Sequence, residues 1–200
     1  ASGALACADM ALMFPMMKPY VAGLPSGSML DADIDVGGNM ARLDIRRMHL
    51  GIDGSVLLNA DGDISDVLNP SRMAGDITFS GKIGNLSPWR RMLADALGDI
   101  AIPPMDFDGD ISFGGESYDG SLRAVTSGGR LALDGSFSGK GADYDIDLTA
   151  ERFPVSAFMP TLGVGIVTGR VTASGHGFNF FSPDTGIDAD LDIASIEYNR

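Results

Sequence analysis

Cys7 is the only cysteine in this 200-residue chain, so no intrachain disulfide can form, and cysteine usage leaves the redox compartment undecided. Histidine is almost as scarce. His49 and His176 are the only two, and neither has a second His or a Cys at ligand spacing, which leaves a zinc site without support. Positive charge is also short: 14 Lys and Arg stand against 27 Asp and Glu, a net charge of −13. Such a balance opposes binding to a phosphate backbone or to an anionic bilayer surface, and argues against nucleic acid as a partner. Long apolar runs are missing too. Asp9, Pro15 and Lys18 break up the first 23 residues, far short of the roughly 20 consecutive apolar residues of a membrane span. No basic segment precedes them, so they do not read as a signal peptide.

What is present is alternation. Leu131, Leu133 and Phe137 alternate with small or polar residues, and Tyr144, Ile146 and Leu148 alternate with Asp143, Asp145 and Asp147. This period of two sends apolar side chains to one face of a sheet. Gly139-Lys140-Gly141 lies between the two runs and joins them as an antiparallel hairpin. Upstream, Leu30, Ala32, Ile34 and Val36 alternate with Asp31, Asp33 and Asp35, ending in a turn at Gly37-Gly38-Asn39. Three glycine-bounded segments, Gly75–Gly81, Gly109–Gly115 and Gly169–Gly175, share one form (Gly, any residue, Ile or Val, Ser or Thr, Phe or Ala, Ser or Gly, Gly) at irregular spacing, so the repeat is not a fixed-length solenoid.

Two strands change parity midway. Leu43 and Ile45 are odd whereas Met48, Leu50 and Ile52 are even, which predicts a bulge at Arg46-Arg47. Ile187, Ala189, Leu191 and Ile193 give way to Ile196 and Tyr198, which predicts another at Ala194-Ser195. Asn59 to Asp63 reads as a loop by composition. Ser87 to Gly98 is the strongest helix: Ser87 caps it, Pro88 suits its first turn, and Trp89, Met92, Leu93, Ala96 and Leu97 form its apolar stripe. Ala4 to Met13 reads as a short helix ended by Pro15, and Pro154 to Met159 as a helical plug ended by Pro160.

The expected organisation is therefore an irregular or short helical cover over 1–27, antiparallel strands over 28–86, a helix over 87–98, and strands again over 106–200 with the plug at 154–159. Alternation continuing almost to Arg200, and a start at Ala1, suggest one continuous all-β domain with minor helix, cut from a longer protein. Unfinished sheet ends would then favour end-to-end self-association.

Chemical motifs do not hold up. Asp31 to Asp35, Asp143 to Asp147 and Asp188 to Asp192 resemble the D-x-D-x-D opening of a calcium loop, but the glycine position holds Val36, Leu148 or Ile193. The final Glu position holds Arg42, Pro154 or Asn199. These carboxylates read as the wet face of strands. Gly135-Ser136-Phe137-Ser138-Gly139 matches Gly-x-Ser-x-Gly but lies in a strand and hairpin turn, without the strand-to-helix elbow that exposes a nucleophile. No carboxylate pair stands out for glycoside hydrolysis. The reading is a non-enzyme with no cofactor and no metal.

The order of elements from Leu131 to Asn179 resembles the repeating segment of the AsmA-like and TamB-like proteins of bacterial envelopes: a strand pair, a short Pro-containing segment, then Gly-x-Val-x-Ala-x-Gly opening the next strand. Gly135, Gly139, Pro154, Phe158, Gly169 and Gly175 stand at the matching places. The likeness covers about 129–198, more faintly 28–85. It implies a long antiparallel sheet curled into an open apolar groove, a β-taco, in a periplasmic protein anchored to the inner membrane by a segment outside this sequence. It further implies a groove that shields phospholipid or other acyl-chain lipid between inner and outer membranes, with an outer-membrane protein as a possible partner. The expected lining is Leu131, Leu133, Phe137, Tyr144, Ile146, Leu148, Val164, Ile166, Val171, Ile187, Leu191 and Ile193. The competing reading is a closed β-sandwich or β-solenoid that buries the same face against itself and serves as a structural or interaction module.

Overall fold

The computed structural model describes residues 2–6, 27–39, 41–86, 100–139, 142–177 and 185–198. Its strands are β1 (Ser2–Ala6), β2 (Met29–Asn39), β3 (Arg42–Ile52), β4 (Val56–Ser65), β5 (Ala74–Ile83) and β6 (Met105–Gly114), followed by β7 (Ser117–Thr126), β8 (Arg130–Ser138), β9 (Asp143–Pro154), β10 (Val164–His176) and β11 (Gly186–Tyr198). All belong to one antiparallel sheet whose strand order is the order of the sequence, so its ends, β1 and β11, are not paired and the sheet is not closed into a barrel. Helix is confined, among the described residues, to α1 (Val155–Phe158) and a 3-10 turn at Pro160–Leu162. The protein is all-β, as the alternation predicts. The helix expected at 87–98 and most of the cover expected at 1–27 lie outside the described residues.

Both predicted bulges are present. Asp35 pairs with Arg47 and Val36 with Ile45, which leaves Arg46 over, while on the other side Arg46 and Arg47 together oppose Asp61. Thr168 pairs with Ser195 and Gly169 with Ile193, leaving Ala194 over. Each extra residue restores the apolar side chains beyond it to the same face.

Three expectations need correction. Ser2–Ala6 is a strand on the free edge of β2, where a helix was expected from Ala4. The unpaired backbone of β2 offers these residues a ladder, and a lone helix of the ten expected residues is too short to be stable against that competition. Asn59 to Asp63 is not a loop but the middle of β4. Asn59, Asp61 and Asp63 are wet-face residues, and Ala60 and Gly62 are the alternate positions opposite Phe79 and Ile77. The turn expected at Gly37-Gly38-Asn39 is still strand, and β2 runs to Asn39; the Asn39 side-chain carbonyl accepts from the Ala41 and Arg42 N–H groups just beyond.

The two faces differ sharply. On the polar face charges pair across strands, as in Arg47 with Asp33 at 3.0 Å, Lys82 with Asp106 at 3.5 Å and Arg123 with Asp108 at 3.7 Å. Arg170 holds Asp147 through two nitrogens, and these hydrogen bonds keep the Asp147 carboxyl below its ordinary value of 3.8. All these pairs are exposed, so each adds little to stability; their joint effect is a solvated exterior.

Candidate functional site: the open apolar face

Cross-strand pairing traces the other face residue by residue, because partners in an antiparallel ladder point the same way. One row runs Phe79, Gly109, Leu122, Leu133, Leu148, Val171, Leu191 from β5 to β11. The next runs Ile77, Ile111, Gly120, Gly135, Ile146, Ala173, Ala189, and the one beyond it Gly75, Phe113, Tyr118, Phe137, Tyr144, Gly175, Ile187. Towards the start of the chain the same face carries Leu30, Ala32, Ile34 and Val36 on β2 and Leu43, Ile45, Met48, Leu50 and Ile52 on β3. From β2 to β11 the register brings no charged residue to it.

Several aromatic rings of this face lie across a neighbouring strand. A Cβ built at Gly109 would stand 2.8 Å from the Phe79 ring, at Gly75 3.1 Å from Phe113, and at Gly175 2.6 Å from the Tyr144 hydroxyl. Phe107 covers Gly81 in the same way. This accounts for four of the six glycines that bound the repeated segments, Gly75, Gly81, Gly109 and Gly175, where a ring from the adjacent strand takes the place of a side chain. The floor is therefore broad, apolar and low.

Nothing among the described residues closes over it. Among the described residues the buried apolar side chains are Ala60 and Ala124, and no large side chain is fully buried. Ile111 stays 37% exposed, Ile146 38% and Leu191 61%, whereas a sandwich would bury its facing rows. A cavity of about 630 Å³ opens on this face. Its lining reaches from Phe79 on β5 to Ile187 on β11, strands that would spread over roughly 29 Å in a flat sheet at about 4.8 Å per step.

Leu131, Leu133, Phe137, Tyr144, Ile146, Leu148, Val171, Ile187, Leu191 and Ile193 all fall on this face by register. Val164 joins them through its pairing with Tyr198. Ile166 does not. Gly165 and Ile166 together oppose Glu197, and Ile166 pairs with Pro154, so parity shifts and Val167, opposite Phe153 and Ile196, takes the inward place. Phe79, Ile111, Tyr118 and Leu122 also line the cavity. Their own alternation signals them, although only the register shows that they share a face with β8 and β9.

The plug sits at one lip of the trough. Phe158 of α1 stacks on Phe153, ring centroids 4.8 Å apart, and the Ala101 N–H donates to the Phe158 carbonyl at 2.7 Å. The β5–β6 and β9–β10 connections thus meet although two strands separate them. Ser136, of the Gly-x-Ser-x-Gly match, falls on the polar face between Asp119 and Asp145. Among the described residues no three His, Cys, Asp or Glu side chains converge as a metal site, and no helix is long and apolar enough to cross a membrane.

The fold and site define a class: a single, open, antiparallel sheet with a salt-bridged exterior and an apolar face that none of the described residues covers. No family model, curated protein or solved structure matched the chain in comparison.

Proposed function

We propose that this sheet is a segment of a lipid conduit, an AsmA-like or TamB-like element that shields phospholipid acyl chains between the inner and outer membranes of a bacterial envelope. It works in the periplasm and uses no turnover chemistry. The observation that carries the reading is the uncharged apolar face continuous from β2 to β11, which none of the described residues covers. Exposed apolar surface of this extent marks a binding surface. An acyl chain laid on it leaves water at a gain of about 0.8 kcal/mol per buried methylene. Rows running across the strands give that chain a path along the sheet, while the paired charges outside keep the carrier soluble.

The free edge of β11, with Leu191 and Tyr198 exposed, is where a further strand would lengthen the trough, either from another copy end to end or from an outer-membrane partner. Native mass spectrometry with lipidomics on the chain purified from a bacterial envelope tests the reading. Phospholipid adducts that survive mild ionisation are the expected result. A folded chain free of lipid would favour a structural module instead.

A further inference from the structure

Among the described residues, two glycines face each other across the apolar floor at one place. Gly120 and Gly135 are direct partners across β7 and β8, so two adjacent inward positions carry nothing beyond the backbone. Along the row Ile111 pairs with Gly120 and Ile146 with Gly135, which walls both ends. Along the strands Tyr118 and Phe137 stand on one side, ring centroids 6.2 Å apart, and Leu122 and Leu133 on the other. Both glycines and all these walls line the cavity of about 630 Å³.

We infer that the Gly120–Gly135 notch is a discrete seat for one acyl chain, so that the trough holds a tail at a station and not along a uniform floor. The inference rests on the conduit reading and adds place and stoichiometry to it. The strands β6 to β9 pair with one another throughout this stretch, so a guest meets no backbone group that it would leave unsatisfied. The walls carry no charge to receive a headgroup, which must stay at a lip. The cavity has room for about twenty groups of water size, enough for one long hydrocarbon chain. A helix or strand laid over the face would bridge the notch and leave a void, forfeiting contacts on its walls. A flexible chain one carbon wide can follow the floor down.

A fatty acid carrying a diazirine near its methyl end tests this on the full chain, with adducts counted by native mass spectrometry and located by peptide mapping. Gly135→Leu fills the notch directly, although its Cβ would lie 3.2 Å from the Asp145 carbonyl oxygen and strain can unfold that variant. Ala173→Phe fills the same cavity from β10, where a Cβ already exists. Circular dichroism establishes which variants fold. The expected result is one adduct per chain, concentrated on Tyr118 to Leu122 and Leu133 to Ile146, with yield lowered at least tenfold in each folded variant. Several adducts per chain, spread from β2 to β11 and unchanged by Ala173→Phe, overturn the seat and leave the conduit standing. A folded wild-type chain with no adduct overturns both.

Discussion

Leu191→Asp is expected to slow lipid transfer at least tenfold while leaving the unfolding midpoint almost unchanged. Leu191 continues the row of Leu122, Leu133, Leu148 and Val171, so a tail moving along the floor must press against it. A carboxylate there has to shed water as the tail passes, which costs several kcal/mol even after relaxation, and tenfold corresponds to only about 1.4 kcal/mol. Folding does not pose the same problem. Leu191 is 61% exposed, so the new carboxylate stays hydrated in the free protein, and the change in stability should be within about 0.5 kcal/mol. Asp190→Asn, one residue away on the other face, is the matched control and should transfer lipid like wild type. Transfer between donor and acceptor vesicles, alongside thermal unfolding, measures both quantities. Equal rates in Leu191→Asp and wild type would mean that lipid does not travel on this row.

Gly62→Ala should be the most damaging small substitution in the sheet. Gly62 has φ +151°, and an added Cβ would collide with the Asp76 carbonyl oxygen and come within 2.8 Å of the Ile77 Cα. A glycine-only backbone conformation costs other residues about 1–3 kcal/mol, and forcing an atom against fixed backbone about 1–3 kcal/mol more. Here the obstacle is the next strand itself, so nothing nearby can rotate away. Denaturant unfolding should therefore show a loss of about 2–6 kcal/mol. Gly54→Ala separates the two causes: Gly54 has φ +64° but open space around it, and should lose only the left-handed penalty of about 1–2 kcal/mol. Equal losses at the two positions would show that backbone strain alone matters and that the close approach of β5 to β4 does not.

The residues that announced the architecture did so by parity. Arg46-Arg47 and Ala194 were legible as bulges because aliphatic side chains on either side change from odd to even positions, and only an extra residue reconciles them. Around Ile166 the same reasoning had nothing to use: Val164, Ile166 and Val167 are all apolar, so the bulge opposite Glu197 leaves no trace in hydrophobicity. Asn59 to Asp63 was obscured for the opposite reason, since Asn, Asp and Gly signal a loop although their alternation is that of a strand. The Gly120–Gly135 notch lay beyond sequence altogether. Each glycine looks ordinary by itself, and the gap exists only because the β7–β8 register sets one against the other. Openness is likewise invisible to alternation, which makes the same pattern for a trough and for a sandwich; exposure of Ile111, Ile146 and Leu191 decides it.

On the proposed function one face of this sheet meets lipid and the other meets water, and β9 puts the two side by side. Ile146 and Leu148 belong to the trough, and Asp145 and Asp147 to the exterior, through their pairing with Gly135, Leu133, Ser136 and Asp134. A photocrosslinking amino acid placed at each position in turn, followed by identification of the adducts formed in living cells, reads both environments within four residues. Phospholipid captured from Ile146 and Leu148 but not from Asp145 and Asp147 is the predicted result. Crosslinks from Ile146 and Leu148 only to protein, in a chain that still folds, would contradict it and turn the apolar face into a protein interface.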